Sequence, residues 1–139
     1  MLTAQGGQML GWVDDVERAT LENTDFRRVL FTGRHTQLTV MRLAPGEEIG
    51  LEVHDHLDQF IRIEQGTAKV TFGRSKGEID EEHEVEGDWA VIVPSGVWHN
   101  VVNIGTDELK LYSLYSPPEH PPGTIHHSKM DAEAAMQDH

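Results

Sequence analysis

Gly87-Asp88-Trp89-Ala90-Val91-Ile92-Val93-Pro94-Ser95-Gly96-Val97-Trp98-His99-Asn100-Val101-Val102-Asn103 decides the fold. Residues 89–93 form an apolar, β-favouring run long enough for a buried strand. Pro94-Ser95-Gly96 ends it, because proline fixes φ and glycine accepts the positive φ of a sharp reversal. Strand character resumes over 97–102, with His99 just past the corner. A second strand-like stretch, 49–56, ends in His54-Asp55-His56. Residues i and i+2 of a strand share a face, so both imidazoles can lean toward one point, with Cα atoms roughly 7 Å apart. Three strand histidines, two of them in H-x-H spacing, predict a metal centre.

Outward from these stretches the pattern stays short and β-like. Strands are predicted over 29–31, 37–43, 59–64, 67–72 and 109–115, with a further one around 83–86 inside a charged hairpin region. Residues 57–58 read as a two-residue hairpin link. Eight or nine short strands separated by turn signals, with almost no helical periodicity, predict an all-β sandwich or barrel. Residues 1–11 read as loose, Trp12 as an aromatic anchor, and 14–26 as a short helix or an irregular edge. The four prolines of 116–123 exclude a central strand and predict an extended crossing of the body. Ser128 then caps an alanine-rich stretch, 130–137, read as a short terminal helix. The chain divides into an N-terminal arm (1–26), a barrel (27–116) and a Pro-rich tail with its helix (117–139).

Composition narrows the chemistry. With 139 residues, one domain is expected. There is no cysteine, which removes disulfides, thiolate metal sites and thiol catalysis. A formal charge of −13, from 24 acidic and 11 basic residues, argues against nucleic acid or an anionic membrane as partner. No run approaches a membrane span and residues 1–9 have no signal-peptide character, so a cytoplasmic location is expected.

The two motifs together resemble those of the cupins, and in particular the small single-domain cupins. The first motif matches at Pro45-Gly46, at His54-x-His56 and at Gly66, with Gln59 seven residues before that glycine where the family carries glutamate. The second, G-x5-P-x-G-x2-H-x3-N, matches at Gly87, Pro94, Gly96, His99 and Asn103, with one extra residue between Gly87 and Pro94 that predicts a bulge. Only two residues separate His56 from Gln59, against three or four in most cupins. The terminal segments look like a subgroup labelled mannose-6-phosphate isomerase-like. The resemblance implies a double-stranded β-helix, or jelly-roll, barrel with a short C-terminal helix. It implies one divalent transition metal (Mn, Fe, Ni, Cu or Zn) on His54, His56, Gln59 and His99; Asp58 is the substitute candidate for Gln59, although the turn should point it outward. A homodimer is also implied.

That ligand set has a chemical consequence. Three imidazoles and an amide leave the full +2 charge on the metal, which favours Lewis-acid chemistry. The function expected is isomerisation or elimination on a small polar metabolite such as a sugar, sugar phosphate or keto acid. A metal-dependent dioxygenase is one alternative, and a non-enzymatic ligand-binding barrel another. No catalytic residue is assigned. His83 reads as solvated, and His35 has no identifiable partner. His120, His126 and His127 read as lying away from the metal, with His126-His127 able to fold over the barrel mouth as acid or base. Arg42 and Arg62 are candidates for a substrate carboxylate or phosphate, although parity turns Arg62 away from Gln59. Tyr112, Tyr115, Trp89 and Trp98 read mainly as packing residues.

Overall fold

The computed structural model describes residues 10–137. Nine strands and two helices follow one another as α1 (Val16–Glu22), β1 (Arg27–Thr32), β2 (Gln37–Leu43), β3 (Asp58–Gln65), β4 (Thr67–Ser75), β5 (Glu78–Glu86), β6 (Ala90–Val93), β7 (Trp98–Asn103), β8 (Leu109–Ser116), β9 (Ile125–His126) and α2 (Lys129–Gln137). A six-stranded sheet has the order β6-β3-β8-β2-β1-β9, and a three-stranded sheet the order β5-β4-β7. All pairings are antiparallel. The fold is the expected double-stranded β-helix with a short C-terminal helix. No helix among the described residues is long and apolar enough to cross a membrane.

Strand alternation builds the core. Gln59, Ile61 and Ile63 of β3 point inward, with Met41, Leu43, Val91, Val93, Leu109 and Leu111 from the same sheet. Ala68, Val70, Val85 and Val101 face them from the second sheet. β5 is exposed along nearly its whole length. Its acidic residues keep an open sheet edge soluble. Arg62 turns outward onto Glu64 at 3.1 Å and Asp88 at 3.2 Å, and Arg42 pairs with Glu108, so neither is free for a substrate.

The Pro94-Ser95-Gly96 corner carries the chain from one sheet to the other, with Gly96 at φ +84°. The extra residue before it makes no bulge within β6, whose register with β3 is continuous. Instead the turn at Gly87-Asp88 places Asp88 at φ +76°.

The continuous strand expected over 49–56 does not form. Gly50 adopts φ +110°, which breaks extended geometry, and only Glu48 and Glu52 pair with β7, opposite Val102 and His99. Beyond Glu52 the chain bends through Asp55 and His56, so no hairpin links this segment to β3. Asp58 turns outward and accepts a hydrogen bond from Ser95 N at 2.9 Å.

The flanking segments are tied to the barrel by specific polar contacts. Asp15 caps α1 by accepting from Arg18 N, and buried Lys110 donates to the carbonyls of Leu21 and Asn23 at the other end. Trp12 is half-buried. The looseness expected for 1–9 lies outside the described residues. The Pro-rich tail bends at Pro117 and His120, turns at residues 122–123 and is held against the barrel by fully buried Gln37. That amide accepts from Glu119 N and His120 N at 3.1 and 3.0 Å and donates to His120 O at 2.7 Å. The tail then returns as β9 alongside β1, Arg27 opposite His126, and Ser128 caps α2.

Candidate metal centre

His99 sits on β7 immediately after the Gly96 corner and is 2% exposed. The same corner fastens the other motif, because Gly96 N donates to His54 O at 2.8 Å. Across β7, Glu52 pairs with His99 through two backbone hydrogen bonds of 3.0 and 2.9 Å. These constraints bring Glu52, His54 and His99 together, with one ligand atom from each lying within 4.8 Å of the others. The imidazole centroids of His54 and His99 are 5.2 Å apart. Glu52 Oε1 lies 3.3 Å from His54 Nε2 and 3.5 Å from His99 Nε2.

Hydrogen bonding on the outer side of each ring fixes its orientation. His99 Nδ1 is 3.0 Å from the Val97 carbonyl, which only accepts, so Nδ1 carries the proton. His54 Nδ1 is 3.0 Å from Glu119 Oε2, a carboxylate brought in by the tail. Both Nε2 atoms are buried and make no hydrogen bond, although each is within ion-pair range of Glu52. Gln59, 2% exposed on the inward face of β3, donates from Nε2 to Ser113 Oγ at 3.2 Å and leaves its Oε1 buried without a partner. Buried polar atoms are rarely left unpaired. Two imidazole nitrogens and a carboxylate, one ligand atom from each within 4.8 Å of the others, are donors suited to a divalent transition metal, with oriented imidazoles of the kind metal sites use. The group therefore fits a metal.

The charges in the group are mutually stabilised. Burial opposes ionisation of Glu52, but the two imidazoles outweigh it and bring its carboxyl down to about 2. Burial likewise opposes protonation of His54, but Glu119 and Glu52 raise it to about 9 in the metal-free protein. Beside the group, burial pushes the Tyr115 hydroxyl up to about 12. Burial, reinforced by Arg27, pulls His120 down to about 4. Tyr115 is thus a protonated donor and His120 a neutral acceptor at pH 7. Their rings meet edge to face at 5.2 Å, and His120 Nε2 is buried without a partner.

The structure does not bring His56 to the group. It is exposed, because the bend after Glu52 removes the i, i+2 relation that a strand would impose. Glu52 and His54 hold that relation instead. The spacing carried the signal: four residues separate His54 from Gln59, within the family's pattern, whereas two separate His56 from it. Moving the motif back by two residues brings Glu52 into view. The carboxylate changes the charge, leaving +1 rather than +2 on a divalent ion. Asn103 serves the fold, its side-chain amide donating to Leu43 O and Asp107 O at 3.0 and 2.9 Å. His126 and His127 part company: His126 lines a cavity beside the group, while exposed His127 pairs with Asp25 at 2.7 Å. His83 is half-exposed and pairs with Glu81.

A small jelly-roll barrel enclosing an imidazole–carboxylate group defines the class of protein. The chain belongs to the cupin family: residues 39–115 match the Cupin domain. It is 52% identical over 124 residues to the uncharacterized protein YrkC of Bacillus subtilis, covering 89% of this chain and 67% of that one. It is 44% identical over 115 residues to the uncharacterized protein L612 of Acanthamoeba polyphaga mimivirus, covering 82% and 70%. Among solved structures, BH2720 of Bacillus halodurans is similar at 46% identity and a TM-score of 0.89, over 96% of this chain and 99% of that one.

Proposed function

We propose that this cupin holds one divalent transition metal on Glu52, His54, Gln59 and His99. With it the protein catalyses isomerisation or elimination on a small polar metabolite, a sugar, sugar phosphate or keto acid. The observation that carries the reading is the convergence of Glu52, His54 and His99, one ligand atom from each within 4.8 Å of the others, with both imidazole Nε2 atoms buried and making no hydrogen bond. When bound, the metal supplies Lewis-acid polarisation of substrate oxygens. The chain's own residues do the rest. Glu119 holds the ring of His54, and Gln37 holds Glu119 in place. His120 Nε2 accepts a proton from the carbon beside the polarised carbonyl, and the Tyr115 hydroxyl donates a hydrogen bond to the oxygen on which charge develops. The test is solvent-deuterium incorporation into a panel of aldoses, sugar phosphates and keto acids by the metal-loaded protein. Metal-dependent exchange supports the reading, and its absence across the panel counts against it.

A second reading has its own observation. Two imidazoles and one carboxylate are the donor set of many non-haem iron oxygenases, and Glu52, His54 and His99 supply that set. Oxygen uptake by the iron-loaded protein across catechols, thiols and diketones favours this reading over proton transfer.

A homodimer is part of the proposal. β6 is an open edge of the larger sheet, and it carries Ile92 at 64% exposure beside Trp89 at 50%. Sedimentation equilibrium of wild type and Ile92→Glu tests it: the wild type is dimeric and the variant shifts toward monomer.

A further inference from the structure

We infer that the cavity between β1, the tail and α2 is an oxyanion subsite. In it Arg27 takes the carboxylate or phosphate of a substrate whose other oxygens face the Glu52–His54–His99 group. The inference rests on the proposed metal centre and names the substrate class it serves: small anionic metabolites.

Arg27, only 8% exposed, is a buried cation without a carboxylate partner among the described residues. Arg18, Arg28, Arg42, Arg62 and Arg74 each have a carboxylate within ion-pair range. Arg27 Nη1 donates to His126 Nδ1 at 3.3 Å, its guanidinium lies 5.3 Å from the Phe26 ring centroid, and its Nε is buried without a partner. Burying a cation is costly unless it is paired and hydrogen-bonded, and an anionic ligand would supply that pairing here. The planar fork of arginine suits a two-point contact with carboxylate or phosphate.

Placement supplies the second observation. Arg27 and His126 line one cavity of about 370 Å³ with Thr124, His120, Glu52 and Glu119. That volume fits a small metabolite. Glu52 belongs to both the cavity and the metal group, so one molecule in the cavity spans the arginine and the metal. Two carboxylates against one guanidinium do not favour an anion until a divalent ion is held. Anion binding therefore follows metal loading.

The experiment is calorimetric titration of the manganese-loaded, full-length protein with gluconate, glucose 6-phosphate and neutral sorbitol, with metal content measured on each sample. At least one anion binds tenfold or more tightly than sorbitol, and which anion does so separates carboxylate from phosphate. Metal-free protein binds it at least tenfold more weakly. Arg27→Gln keeps one ion per chain and loses the preference for the anion. The Arg27 Nε–H resonance of the wild type gives the same reading without a variant, shifting when the anion is added. One ion per chain with no preference over sorbitol, no shift of that resonance, or a preference retained by Arg27→Gln overturns the subsite alone. No bound ion overturns both the subsite and the metal centre.

Discussion

Two stretches feed the metal group, and they differ in how firmly local sequence dictates geometry. Over 87–103 a proline, a glycine at φ +84° and an apolar run leave one arrangement, and His99 lands where strand logic puts it. Over 49–56 the alternation looks equally strand-like, but Gly50 at φ +110° and the bend at His56 convert it into isolated pairings along β7. H-x-H spacing therefore carries information only if the backbone around it is extended. Where the backbone bends, the residue brought beside His99 is set by what the neighbouring strand can pair, which is Glu52.

The largest effect expected is from removing the imidazole on the rigid side. Structural zinc sites in zinc-finger peptides are worth about 10–16 kcal/mol over four ligands, and by that scale one ligand carries about 3 kcal/mol. His99→Ala is expected to lose roughly a hundredfold in metal affinity by competition with a chelator, with unchanged far-UV circular dichroism. Glu119→Gln removes the carboxylate that orients His54 from outside the group. It is expected to weaken metal binding by about 10–100-fold, with one ion per chain restored at saturating metal.

The bent stretch also carries a pH dependence through His54. The His54 value is raised to about 9, so its protonated form stabilises the metal-free fold fully below pH 6.5. That stabilisation is lost as pH rises toward 9. A metal requires the neutral ring, so metal affinity is expected to rise by roughly tenfold per pH unit over the same window, with one proton released per ion. The Tm of metal-free protein falls over that range while its gap to the metal-loaded protein widens, as differential scanning calorimetry at several pH values will register.

The smallest effect tests why the second stretch bends. A Cβ at Gly50 meets nothing within 4 Å, so the penalty of Gly50→Ala is backbone strain alone. It is expected to cost about 1–2 kcal/mol in urea denaturation, with the six-stranded sheet untouched.

Much of the barrel was legible in the sequence. Strands over 37–43 and 109–115, the corner at Gly96 and the Ser128 cap all follow from local rules, because each depends on residues adjacent in the chain. Gln59 was legible as an inward residue by its parity with Ile61 and Ile63. Glu52 was hidden because its role depends on pairing with His99 across β7, although the spacing to Gln59 pointed to it. Arg27, Gln37 and His120 were hidden for a stronger reason. Their burial depends on the tail returning against the barrel, a contact more than 80 residues apart in sequence for Gln37 and His120.

The most direct test of the metal centre is the metal-to-protein ratio of His54→Ala and His56→Ala, two variants with the same chemistry two residues apart, after loading with manganese and removing free ion. One ion per chain is expected in the wild type and in His56→Ala, and a large loss in His54→Ala. Loss in His56→Ala with retention in His54→Ala contradicts this metal centre, as does a wild-type protein that holds no ion.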